Sequence, residues 1–128
     1  MPSPISMFVN PNNVGMAGIR YFNGINMKHR KELEAITKTV AEYYKMQVHA
    51  LRSEVRTKRI CHIRHIAMYF CCLQEYSLME IARYFNRLDH TSIIYARNKV
   101  KGYIDVYPDI AAEIGAINEL LNEQKTAT

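Results

Sequence analysis

The chain has 128 residues, 48% of them hydrophobic, enough for one domain with its own core. Its net charge of +5 is unevenly spread: residues 28–101 hold 15 Lys and Arg against 7 Asp and Glu, and residues 102–124 hold 5 acids and no Lys or Arg. A basic body with an acidic end suits a polyanion bound on one face. Membrane spanning is excluded by the lack of any apolar run of roughly 18 residues. The opening MPSPISMFVNPNN has neither a basic n-region nor a continuous apolar stretch, so no signal peptide is expected. An odd cysteine count, with Cys71 and Cys72 adjacent and Cys61 apart, argues against a disulfide framework and for a reducing cytoplasm.

Residues 1–27, rich in Pro, Asn and Gly, read as a flexible arm that could dock through Phe8, Val9, Tyr21 and Phe22. A helical domain is predicted over 28–124. Its first helix sets Leu33, Ile36, Val40 and Tyr43 or Tyr44 on one face. A short apolar turn, Val48 to Leu51, leads into a basic segment, Arg52 to Arg64. Ile63, Ile66, Ala67, Phe70 and Cys71 then mark a buried helix ending near Gln74. Ser77 and Glu80 have the spacing of a capping box, and Leu78, Ile81, Ala82 and Phe85 supply the apolar face behind it.

Asn86, Arg87 and Leu88 form the next turn, where Asn tolerates the left-handed conformation usually given to glycine. Asp89 is placed to cap the following helix, which buries Ile93, Ala96, Val100 and Ile104. Pro108 suits the first turn of a last helix with Ile110, Ile114, Ile117 and Leu121 facing inward. No segment alternates like a strand. The expected architecture is all-α, about six helices, with a helix-turn-helix at 77–101. The second of its helices opens with Asp-His-Thr-Ser, four small polar side chains on an otherwise apolar helix. Such a tip can enter the major groove of DNA, where base edges display distinct donors and acceptors.

Four segments in order resemble one family. TKTVAEYYKMQVHAL (Thr37 to Leu51), RTKRICHIRHIAMY (Arg56 to Tyr69), SLMEIARYF and DHTSIIYARNKV look like the C-terminal DNA-binding domain of the bacterial replication initiator DnaA. The resemblance covers roughly residues 29–124. It implies a double-stranded DNA-binding protein in replication initiation or its control, or in transcription regulation, associated with the nucleoid. Asp89, His90 and Thr91 would meet base edges, with Ser92 matching a family Thr. Arg56 would enter the minor groove, where a narrow A/T tract favours guanidinium. Lys58, Arg64 and His65 would hold phosphates, and amides at the Ser77 helix start another. Arg52 and Arg59 would add unspecific charge.

Departures from the family pattern cluster on the same positions. Asn86, Arg87 and Leu88 stand where two glycines and an arginine are usual, with Arg87 restoring the charge one position early. Tyr95 replaces a His that can touch phosphate, His65 replaces a Gln, Met79 a Pro, and Cys72 a Lys found in some members. A related but shifted target sequence is therefore expected. The glycines form no G-x-x-x-x-G-K-[ST] phosphate cradle, so neither ATP hydrolysis nor an ATP-driven filament is expected, and the chain reads as a stand-alone domain.

Other chemistries have less behind them. Cys61 and His65 could share a helix face, but zinc sites want close pairs, and adjacent helical residues such as Cys71 and Cys72 point about 100° apart. No cofactor, metal or catalytic nucleophile is expected, and the domain is not read as an enzyme. An interaction module that modulates a replication initiator, through the acidic last helix or the arm, is the alternative function. A Trp-repressor-like regulator with a small ligand is a third. On DNA the family pattern implies a monomer, with weak dimerisation open.

Overall fold

A computed structural model describes residues 26–74 and 76–126, with side chains as far as Gln124. Phe8, Val9, Tyr21 and Phe22, with residues 1–25 of the predicted arm, lie outside the described residues. The described chain folds into α1 (Met27–Tyr43), α2 (Val48–Leu51), α3 (Lys58–Leu73), α4 (Leu78–Tyr84), α5 (Thr91–Val106) and α6 (Pro108–Thr126). Among the described residues there is no strand, and no helix is long and apolar enough to cross a membrane.

Local chemistry sets most of the helix ends. Asn26 Oδ1 accepts from the amides of Lys28 (2.8 Å) and His29 (3.4 Å), which starts α1 one residue ahead of the expected Lys28. Thr57 Oγ1 accepts from Ile60 N at 3.3 Å to start α3. The predicted capping box is formed: Ser77 Oγ accepts from Glu80 N at 3.1 Å, and Ser77 N donates to Glu80 Oε1 at 3.3 Å. Two helices end on left-handed residues without glycine, Lys45 (φ 58) and Asn86 (φ 60). Each is followed by the long reverse bond of a Schellman end, Met46 N to Ala41 O and Arg87 N to Ala82 O, both 2.8 Å.

α3 is the central element. It packs chiefly on α5 and α1, and its Ile63, Ile66, Ala67, Met68, Phe70 and Cys71 are buried. Leu33 and Val40 of α1, Leu51, Ile81, Tyr84 and Phe85 of the α4 region, Ile93, Ala96 and Val100 of α5, and Ile117 complete one core. Leu78, Ile104 and Ile110, expected inside, are only partly buried against it. Polar ties hold the shell: Tyr44 Oη donates to Glu113 Oε1 (2.7 Å), Thr39 Oγ1 to Gln124 Oε1 (3.1 Å), and His29 pairs with Glu80 (2.7 Å). α4, the Asn86 turn and α5 make the helix-turn-helix, with α5 running on to Val106.

Candidate nucleic-acid interface

The α5 tip is open to solvent. Asp89, His90 and Thr91 are exposed and Ser92 is half-buried. Asp89 Oδ1 accepts from Thr91 N at 2.9 Å, so one carboxylate oxygen starts the helix while the residue stays exposed. Asp89 thus caps the helix through Thr91 N. His90 O accepts from Ile93 N and Ile94 N, both at 3.1 Å, and carries the first helical turn.

Facing this tip across a groove of about 410 Å³ is the segment before α3. Glu54, Arg56, Arg64 and His65 line one side, and Arg87, Leu88, Asp89, Ser92 and Tyr95 the other. Arg56 and Lys58 are exposed. The loop carrying Arg56 has no regular structure, yet it is tied down from several directions. Arg52 Nε donates to Tyr84 O (2.7 Å) with its guanidinium 4.5 Å from the centre of the Tyr84 ring. Asn86 Nδ2 donates to Arg52 O (3.1 Å), and Arg87 Nη2 to Ser53 O (3.2 Å). The helix-turn-helix turn and the Arg56 loop are therefore one hydrogen-bonded unit.

Arg64 corrects the sequence-based expectation. It is 4% exposed, and its donors go to backbone: Nε to Leu51 O (2.7 Å), Nη2 to Ala50 O (3.3 Å) and Val55 O (2.8 Å), with Nη1 on Cys61 Sγ (3.7 Å). A guanidinium so occupied is not an open phosphate clamp. It holds the loop ahead of Arg56, because only its planar fork reaches several carbonyls at once. Arg52 likewise serves the fold rather than unspecific charge. At Ser77 the hydroxyl and the amide are both engaged by Glu80, whose carboxylate also pairs with His29.

His65 is half-buried, its ring edge-on to Tyr95 with centroids 5.8 Å apart. Burial, then Lys99, Arg64, His62 and Arg87, push its pKa down to about 4, so it enters neutral solution as an uncharged donor–acceptor. Tyr95 is 57% exposed, and its hydroxyl accepts from Lys99 Nζ at 3.3 Å. Lys99 was absent from the sequence-derived site. Its spacing of four from Tyr95 on one helix face was the available signal.

The profile of the bacterial DnaA protein helix-turn-helix matches residues 33–100, more than half of the chain. The chain belongs to that DnaA family. It is 38% identical over 92 residues to the chromosomal replication initiator protein DnaA of Magnetococcus marinus, covering 71% of this chain and 21% of that protein. The DnaA of Roseiflexus castenholzii is 31% identical over 109 residues, covering 84% and 23%. A crystal structure of a DNA replication initiation factor superposes with a TM-score of 0.67 at 35% identity, covering 76% of this chain and 30% of that one. A replication initiator DnaA bound to AMPPCP and single-stranded DNA gives 0.60 at 35% identity, covering 73% and 28%. The chain thus spans about a fifth of the DnaA relatives' length and corresponds to their DNA-binding helix-turn-helix domain.

Metal chemistry finds no cluster here. Among the described residues there is no group of three or more His, Cys, Asp and Glu able to hold an ion. Cys71 is fully buried, and that burial raises its thiol pKa well above the usual range.

Proposed function

We propose that this DnaA-type domain reads double-stranded DNA sequence-selectively from two adjacent grooves, in replication initiation or its control. One observation carries the reading: Arg56 lines a single groove with Asp89 and Ser92 of the exposed helix tip, and its loop shares a hydrogen-bonded frame with the turn before that tip. With the α5 tip in the major groove, the second carboxylate oxygen of Asp89 accepts from the exocyclic amine of cytosine or adenine. His90 and Thr91 meet neighbouring base edges. Arg56 enters the flanking minor groove, where a narrow A/T tract concentrates negative potential.

Around these readers, Lys58, Arg87, Tyr95, Ser92 and Lys99 supply phosphate contacts that fix register without carrying sequence information. Lys99 rests against the Tyr95 and Tyr103 rings, at 5.4 and 6.0 Å, so its ammonium is already directed along one face of α5. His65 offers a neutral hydrogen bond to the same backbone. The domain as proposed does no chemistry on its ligand; it positions whatever acts at the bound site.

Selection of duplexes from a random pool, followed by salt-dependent titration, tests this reading. Affinity should fall steeply with salt, by roughly 0.9 log units per log unit of salt for each phosphate neutralised. Arg56→Ala should weaken binding and relax the A/T preference flanking the core site. Recovery of no enriched sequence, or an unaltered flank in Arg56→Ala, would count against the two-groove arrangement.

A further inference from the structure

Leu88 is 95% exposed, more than any other large hydrophobic residue described. Single exposed apolar side chains are common, so exposure alone says little. The way this one is held says more. On its N-terminal side, Asn86 reaches Arg52 O at 3.1 Å, Arg87 N donates to Ala82 O at 2.8 Å, and the Arg87 guanidinium reaches Ser53 O at 3.2 Å. On the other side, Asp89 closes on Thr91 N at 2.9 Å. Leu88 therefore projects from a backbone anchored before and after it, at the lip of the groove that Arg56, Asp89 and Ser92 share. A side chain presented on a fixed backbone loses little entropy when a ligand covers it.

We infer that Leu88 is a specificity-determining residue that recognises the 5-methyl group of a thymine next to the base step engaged by Asp89. The inference rests on the duplex-reading function proposed above and deepens it. An isobutyl group has no donor or acceptor, and a phosphate beside it gains nothing. Among the base edges of the major groove, thymine's methyl is the apolar feature. Deoxyribose C–H groups are apolar too, but they are the same at every nucleotide and would give affinity without preference. The departure from the family's arginine thus puts a methyl reader at this position, with Arg87 carrying the charge one position earlier, and shifts the preferred sequence.

The test uses the full chain and the duplex obtained by selection. Each thymine of both strands is replaced singly by deoxyuridine, which removes the methyl and keeps the pairing. At one thymine the dissociation constant should rise about fourfold, the equivalent of one buried methyl-sized group. That sensitivity should vanish in Leu88→Ala, while any thymine sensed by Thr91 stays sensitive in both proteins. Thermal melting of Leu88→Ala should match the parent. If Leu88→Ala weakens every duplex equally and leaves the methyl sensitivities unchanged, Leu88 meets the sugar edge and the inference is wrong. If it changes nothing, the inference is equally wrong. A parent chain that binds no duplex would instead remove the underlying function.

Discussion

The two walls of the groove are built by different means. The α5 wall is local: a left-handed Asn86, a reverse bond to Ala82 and an aspartate on Thr91 N fix the tip within a few residues of itself. The Arg56 wall is held from afar, by Arg64 on one side and by Arg52, Asn86 and Arg87 on the other, across 9 to 34 positions of sequence. A helix tip can be written into a short motif. An irregular loop needs donors from the rest of the fold to occupy its carbonyls, since buried carbonyls left unpaired are costly.

The sharpest way to separate the walls is Arg64→Ala. It removes a buried guanidinium and its bonds to the carbonyls of Leu51 and Val55, while Ala50 O keeps its bond from Ser53 Oγ at 2.6 Å. Charge-assisted bonds of this kind are worth about 1.5–3 kcal/mol, so a loss of that order in stability is expected by denaturant titration. At a temperature where the variant remains folded, the flanking A/T preference should weaken as it does in Arg56→Ala. The preferences read by His90 and Thr91 should survive. A uniform loss at every base pair would mean that the walls are not independent. Arg64→Lys should rescue little, because one ammonium cannot span several carbonyls.

The same contrast explains what the sequence disclosed. The helices, the Ser77–Glu80 box, the Asn86 turn and the exposed tip follow from short-range rules, and each is legible as a pattern over a few residues. Lys45 was not: it adopts the same left-handed geometry as Asn86, but lysine carries no signal for it. Nor was Arg64. In a run of basic residues it looks like its neighbours, and only the packing of α2 and α3 turns it inward. Lys99 was missed for a lesser reason, because its role depends on Tyr95 one turn earlier.

A smaller effect is expected where the two walls meet. Asn86 combines a left-handed backbone, φ 60, with a side-chain bond to Arg52 O. Asn86→Ala loses both and should destabilise by about 1–2 kcal/mol. Asn86→Gly relieves the backbone but forfeits the bond, so it should lie between Ala and the parent. Equal stability of the two variants would mean that backbone conformation contributes nothing at this turn. The Gly variant also tests the coupling: its A/T flank preference should decline before its major-groove preferences do.

The least visible effect at neutral pH concerns His65. Its folded pKa, about 4, lies below the usual 6.5 because of burial and of Lys99, Arg64, His62 and Arg87 around it. Well above pH 6.5 the ring is neutral in both folded and unfolded chains and contributes no pH dependence. As pH falls from 6.5 towards 4, the unfolded chain takes up a proton that the folded chain refuses, so stability must fall across that window. His62, also lowered chiefly by burial, adds in the same direction. His65→Gln should flatten the melting-temperature profile between pH 6.5 and 4. Profiles that differ only by a constant offset would contradict the assignment. Bound DNA should reverse part of the effect, because a phosphate beside Lys99 and Arg87 offsets the like charges that add to burial in keeping His65 neutral. Binding at pH 5 should then take up protons in the parent and fewer in His65→Gln, a difference that titration calorimetry in buffers of unlike ionisation enthalpy would resolve.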